Sequence, residues 1–187
     1  MEAIQRKERY TYADYESWGE DHPRCELIDG VIYLMSAPTR AHQWISGELF
    51  FLLRQFLRDK TCEVYIAPFD VRLNYDTTDD IVVQPDVLVV CDKSKLENGK
   101  HLLGVPDFII EVLSPSNTYH DTNRKLKKYL AAGVKEYWIV DPEDKAVFAH
   151  RLVDTVYTIT TYDGNDIIPV MILEDFTINL SEVFPEW

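Results

Sequence analysis

Two acidic residues interrupt runs that otherwise read as buried strands, and their types set the chemistry open to the chain. Glu111 stands inside Phe108-Ile109-Ile110-Glu111-Val112-Leu113, and Asp86 inside Ile81–Val90, a run apolar except at Gln84-Pro85-Asp86. Near-continuous apolar runs of this kind suit central strands covered on both faces. A carboxylate buried there alone is costly, so it needs either a lysine or arginine partner or a metal ion. Alternation with period two puts Gln84, Asp86, Leu88 and Val90 on one face of a strand, and Asp107, Ile109, Glu111 and Leu113 on one face of another. Two carboxylates converging from neighbouring strands are expensive unless a cation lies between them, and hard oxygen ligands suit Mg2+, with Mn2+ as a substitute.

A third group follows along the chain. In the helical stretch after Glu111, Asp121, Lys125 and Tyr129 fall at i, i+4 and i+8 and form one row. Leu126, Tyr129 and Leu130 mark the buried side, which leaves Lys125 at one edge and Lys127 at the other, with Arg124 and Lys128 pointing outward. Periodicity alone does not separate Lys125 from Lys127. The plainer reading of Arg124-Lys125-Leu126-Lys127-Lys128 is a solvated basic helix face.

The elements that must position these groups are legible in outline. Asp29-Gly30 between Cys25–Ile28 and Val31–Met35 is a strong hairpin signal, because both turn residues need positive φ. Ile45, Leu49, Leu52, Leu53, Phe56 and Leu57 recur at helical spacing from His42 to Asp59. Three strands are expected next: Cys62–Leu73 with a break at Pro68, Ile81–Val90, and Asp107–Leu113. Asn117 or Thr118 would cap a helix running to Ala132, with Gly133 just past its end. A buried strand, Glu136–Asp141, then leads to antiparallel strands Ala146–Leu152 and Tyr157–Tyr162 and a turn at Asp163-Gly164-Asn165. The expected fold class is mixed α/β in a single domain over 1–187: a central mixed sheet flanked by helices, with N- and C-terminal β-hairpin additions.

Composition narrows the function. The 187 residues are ordinary for a globular domain, with 46% hydrophobic and 27% charged residues, which excludes disordered and fibrous classes. Cys25, Cys62 and Cys91 are odd in number and in no metal-like spacing, and read as buried free thiols of a reducing compartment. No apolar run spans a membrane and the first thirty residues lack a signal-peptide core, so a soluble cytoplasmic protein is expected. The formal charge of −13 repels phosphate at long range and argues against a general DNA-coating protein. It leaves room for an enzyme with a metal ion and a local basic patch.

Taken together and in order, several segments resemble a known family. They are Glu26-Leu27-Ile28-Asp29-Gly30, Ala67-Pro68-Phe69-Asp70-Val71-Arg72-Leu73, Gln84-Pro85-Asp86, Ile110-Glu111-Val112-Leu113-Ser114-Pro115-Ser116 and Gly133-Val134-Lys135-Glu136-Tyr137-Trp138-Ile139-Val140-Asp141-Pro142. The sequence is similar to the Uma2 proteins, a restriction-endonuclease-like branch of the PD-(D/E)xK nuclease superfamily. The resemblance implies a restriction-endonuclease-like core and Mg2+-dependent hydrolysis of DNA phosphodiester bonds. It makes Asp86 and Glu111 the motif's acidic residues, binding the metal together with the carbonyl of Val112. The motif's lysine would stand at position 113, where this chain has Leu113; related branches carry it on the following helix, which selects Lys125. Glu26 matches a recurrent acidic position and His42 a recurrent histidine at a helix start, with Gln84, Asp121 and Tyr129 as accessory residues. The removal of Lys125 is expected to cost activity far more than stability. A homodimer is expected, since cutting a duplex suits two copies of a one-site enzyme. The competing reading is a catalytically weak or inactive nuclease fold acting as a binding or assembly module.

Overall fold

The Asp29-Gly30 pair sits in the left-handed region its turn demands, at φ 53° and 75°. In this computed structural model, which describes residues 8–19, 22–114 and 119–187 and only the backbone of 119–122, the turn follows a short helix α1 (Tyr12–Ser17) and joins β1 (Cys25–Ile28) to β2 (Val31–Leu34). Thr39 caps α2 (Arg40–Phe56), its hydroxyl accepting the His42 N–H at 3.2 Å. Ile45, Leu49 and Leu53 give that helix one fully buried stripe. Then come β3 (Glu63–Ile66), β4 (Val71–Arg72), β5 (Val82–Val83), β6 (Val87–Val90), β7 (Leu102–Leu103) and β8 (Phe108–Val112). Helix α3 (Tyr119–Ala132) stops at Gly133, φ 82°, and the chain continues through β9 (Glu136–Asp141), β10 (Ala146–Val153), β11 (Val156–Asp163), β12 (Ile167–Pro169) and β13 (Thr177–Asn179). Asn117 and Thr118, the expected caps of α3, lie outside the described residues.

Two sheets carry the architecture. A six-stranded mixed sheet has the order β11-β10-β9-β8-β6-β3, parallel only between β8 and β9. A five-stranded sheet has the order β2-β1-β5-β4-β7, and β12 pairs with β13 apart from both. Alternation sorts the larger sheet's two faces. Val87, Val89, Phe108, Ile110 and Val112 meet α2, while Leu88, Val90 and Ile109 meet Tyr129 of α3 and the smaller sheet's Ile28, Val71 and Val83. Because Leu49 is fully enclosed in the first of these cores, Leu49→Ala should lower the unfolding free energy by about 2–5 kcal/mol. Urea titration at constant m-value checks it.

Three expectations need correction. The run Ile81–Val90 is two strands rather than one: β5 lies in the smaller sheet and β6 in the larger, with Gln84-Pro85-Asp86 crossing between them. Pro85 has no N–H to give a ladder, and both sheets bury their share, so the apolar run conceals the break. Gln84 therefore does not share a strand face with Asp86. Cys62–Leu73 breaks at Pro68 as expected, at a cis Ala67–Pro68 bond, and its two parts, β3 and β4, lie in different sheets. Cys62 and Cys91 form a disulfide, and only Cys25 is a free buried thiol. The β3–β6 register pairs Glu63 with Val90, so the two cysteines stand opposite each other one step further on. Their separation of 29 residues in sequence hides this, and the cysteines no longer argue for a reducing compartment. At the C-terminal end, β10 and β11 extend the large sheet, and the turn near Asp163 leads on to β12. Among the described residues no helix is long and apolar enough to cross a membrane.

Candidate active site

Antiparallel register sets the site's geometry. Val87 pairs with Ile110 and Leu88 with Ile109, so one step beyond β6 Asp86 comes opposite Glu111. Both are buried, yet they turn to different partners. Asp86 faces α2: its Oδ2 accepts the Val112 N–H at 2.8 Å and lies 3.0 Å from Nε2 of His42, whose Nδ1 is 3.5 Å from the Ser46 hydroxyl. Glu111 faces α3: Oε1 accepts from the Tyr129 hydroxyl at 2.8 Å, and the Lys125 ammonium lies 3.1 and 3.2 Å from its two oxygens. The same ammonium reaches Oε1 of Glu26 at 2.7 Å. Glu26 comes from β1 and also accepts the backbone N–H of Gln84 at 2.8 Å, which ties the crossing segment to the site.

Lys125 and not Lys127 enters the site, since Lys127 is exposed. The i, i+4 row is real as far as Lys125 and Tyr129; the side chain of Asp121 lies outside the described residues. Val112 contributes its amide to Asp86, and Gln84 acts at a distance. Its side-chain amide donates to Asp70 at 2.8 Å and accepts from Arg24 Nε at 2.6 Å. Nothing in the sequence spacing of Arg24 and Asp70 links them to Gln84; the link exists only once the two sheets are assembled. Two clefts open here. One, with about 60 Å3 for solvent, is walled by Glu26, Met35, Glu111, Arg124, Lys125 and Tyr137; the other, about 70 Å3, by Arg24, Met35, His42, Ser46, Asp86 and Ser114.

Charge decides how these groups ionise. Burial pushes the Glu111 carboxyl up to about 7, and Asp86 and Glu26 push the same way, against the pull of Lys125 and the Tyr129 bond. Burial alone would lower Lys125, but the carboxylates of Glu111 and Glu26 more than offset it and hold the amine above the ordinary lysine range. Two carboxylates thus share one ammonium, with the charge of Asp86 nearby, and the surplus of negative charge is what favours the protonated form of Glu111. Tyr129 is raised well above an ordinary tyrosine, by burial and then by Glu111.

The donor chemistry fits a hard divalent cation. Glu26, Asp86 and Glu111 offer carboxylate oxygens and Val112 a carbonyl, with no thiolate among them. Among the described residues, however, no three His, Cys, Asp or Glu side chains gather closely enough to hold an ion. The Lys125 ammonium occupies the place between Glu26 and Glu111 that a cation would otherwise take. Two more residues of the basic segment are engaged within the molecule, while Lys127 is exposed. Lys128 pairs with Asp29 at 2.6 Å and the Arg124 guanidinium lies 4.3 Å over the Tyr33 ring.

Comparison with known proteins agrees with this architecture. Residues 12–181 match the Uma2 family, described as "Putative restriction endonuclease". An uncharacterized protein of Synechocystis sp. (strain ATCC 27184 / PCC 6803 / Kazusa) is 28% identical over 156 residues, 82% of this chain and 80% of that protein. The crystal structure of a "putative nuclease belonging to DUF820" from Anabaena variabilis ATCC 29413 superposes with a TM-score of 0.77. The superposition covers 93% of this chain and 97% of that one at 19% identity, a likeness of fold.

Proposed function

The chain belongs to the Uma2 family of restriction-endonuclease-like proteins, and from that premise we propose that it is a Mg2+-dependent nuclease hydrolysing DNA phosphodiester bonds. The observation that carries this reading is the buried Glu26–Lys125–Glu111 bridge beside the Asp86–His42 pair. Buried charge at this density is costly for stability alone and is characteristic of functional sites. Asp86, Glu111 and the Val112 carbonyl would hold the ion, with Glu26 completing its surroundings. When bound, Mg2+ supplies polarisation of the phosphate and a lowered pKa for a bound water. Lys125 would orient an attacking water and stabilise charge building on the phosphate. His42 holds Asp86 in place from α2, and Tyr129 does the same for Glu111 from α3. Gln84, fixed by Arg24 and Asp70, keeps Glu26 within reach of Lys125.

The test is cleavage of a mixed panel of DNA and RNA by pure protein with Mg2+, Mn2+ or EDTA, and Asp86→Asn beside it. Metal-dependent cleavage of DNA that Asp86→Asn abolishes is the expected result. A second reading keeps support from one observation: Lys125 and Lys128 are both tied to carboxylates, so the basic helix face lends little to a phosphate backbone. On that reading the chain is a catalytically weak or inactive binding module, and it prevails if neither metal supports cleavage of any substrate.

A homodimer also belongs to this proposal. Strand β11 is an edge strand, with exposed Val156 and Ile159. Light scattering at micromolar concentration should give twice the 21.8 kDa chain mass, and a monomer mass would refute it.

A further inference from the structure

Arg24 stands just before β1, half-buried, in the wall of the cleft that contains Asp86. The hairpin fixes its backbone, its carbonyl accepting the Met35 N–H at 2.9 Å. Gln84 fixes its side chain. The Gln84 amide nitrogen donates to Asp70 at 2.8 Å, which leaves the amide oxygen to accept from Nε of Arg24 at 2.6 Å. A guanidinium carries five N–H donors, so this bond uses one and leaves the four on Nη1 and Nη2. Among the described residues no group accepts from those four, and no carboxylate pairs with the guanidinium. The other cations of the site differ. Lys125 is shared by two carboxylates, Lys128 is paired with Asp29, and Arg124 lies over Tyr33. Arg24 is instead held by a neutral amide, which sets its direction without cancelling its charge.

The two clefts differ in what they would admit. Glu26 and Glu111 both wall the first. Among the described residues lining the second, Asp86 is the one carboxylate, and its Oδ2 already accepts the Val112 N–H. Exposed Ser36 and Gln43 add an O–H and an amide N–H to the same wall. About 70 Å3 for solvent, against about 10–15 Å3 for one water, gives room for a group of a few oxygens. A planar fork of N–H donors with its charge uncompensated suits a phosphate, whose oxygens take two parallel bonds. Because the fork is already fixed, it loses little freedom on binding. We infer that Arg24 is a substrate-binding residue: Nη1 and Nη2 hold a phosphodiester of the DNA backbone in the cleft beside Asp86. The inference rests on the nuclease reading above for the identity of that phosphate. It supplies the local positive charge that a chain of net charge −13 needs to receive a polyanion here.

The test compares the wild type with Arg24→Gln, which removes the charge, and Arg24→Lys, which keeps the charge and removes the fork. Binding of a short labelled DNA duplex is followed by fluorescence anisotropy at several salt concentrations, with Ca2+, another oxygen-seeking cation, in place of Mg2+. Arg24→Gln should bind about ten- to hundredfold more weakly, and its plot of log affinity against log salt should be shallower by about one. Arg24→Lys should keep the wild-type slope and bind with intermediate affinity, and both variants should melt close to the wild type. Arg24→Gln binding with wild-type affinity and slope overturns the inference, as does a wild type that binds no DNA. A slope that falls alike in both variants, or melting well below the wild type in both, makes Arg24 only a structural tie to Gln84 and also overturns it. Cleavage with Mg2+ is scored separately. Binding through Arg24 without cleavage of any substrate defeats the nuclease reading and leaves the phosphate site standing. Cleavage by a protein whose DNA binding ignores Arg24 defeats the inference and leaves that reading standing.

Discussion

Lys125→Met should lose hydrolysis by roughly 10²–10⁴-fold and, above neutral pH, unfold about 3–5 kcal/mol more easily than the wild type. The first effect follows from the ammonium's position between Glu111, proposed to hold the ion, and Glu26, proposed to complete its surroundings. The second comes from what the substitution leaves behind. Glu26 and Glu111, both buried, would face each other with no cation between them. On sequence grounds the removal of Lys125 is expected to spare stability; the bridge to two carboxylates revises that, because the lysine holds two segments distant in sequence together. The loss should shrink near pH 5, where Glu111, its carboxyl pushed up by burial, takes up a proton instead. Mg2+ should stabilise the methionine variant more than the wild type, since the ion enters where no ammonium competes. Melting curves at pH 5 and pH 8, with and without metal, measure each part. A variant that melts like the wild type at pH 8 would mean that the bridge contributes nothing.

Why some of this was readable in the sequence and some was not has a physical answer. Local chemistry was readable. Asp29-Gly30 can only be a tight turn, Ile45, Leu49 and Leu53 only one stripe of a helix, and Gly133 is where α3 ends. The row Lys125–Tyr129 survives too, because i, i+4 spacing fixes a direction whatever the helix packs on. What the sequence concealed depends on register and on which sheet a strand joins. The passage of Gln84-Pro85-Asp86 between sheets leaves the apolar run intact, since both sheets are buried. The Cys62–Cys91 bond exists only because β3 and β6 pair in one register. At the site, alternation could bring Asp86 and Glu111 to the same place but not foresee that one turns to His42 and the other to Lys125. Tyr137 reads as a core aromatic in an apolar strand, and only the assembled structure leaves its hydroxyl without a partner among the described residues.

The wild type without metal should lose stability between pH 4.5 and about 7, and Glu111→Gln should not. Glu111 takes its ordinary value of 4.5 in the unfolded chain and is pushed up to about 7 in the folded one. Below pH 4.5 the carboxyl is protonated in both states and adds no pH dependence. Between the two values the unfolded chain releases the proton first, so it binds fewer protons than the native state and stability falls as pH rises. Above about 7 the loss is complete, on the order of 3 kcal/mol from this group alone. Glutamine carries no such proton, and Lys125 keeps Glu26 at 2.7 Å, so the ammonium is not stranded by the substitution. The difference between the two stability curves should therefore grow from pH 5 to pH 8, with the variant the more stable at the upper end. Metal reverses the order. At a hundredfold excess over Kd, Mg2+ or Mn2+ should stabilise the wild type by about 2.7 kcal/mol, and the variant should lose most of that increment. If Glu111 serves only as the structural counterion of Lys125, the signs invert: Glu111→Gln would be destabilised by about 3–5 kcal/mol at pH 8, and metal would move neither curve.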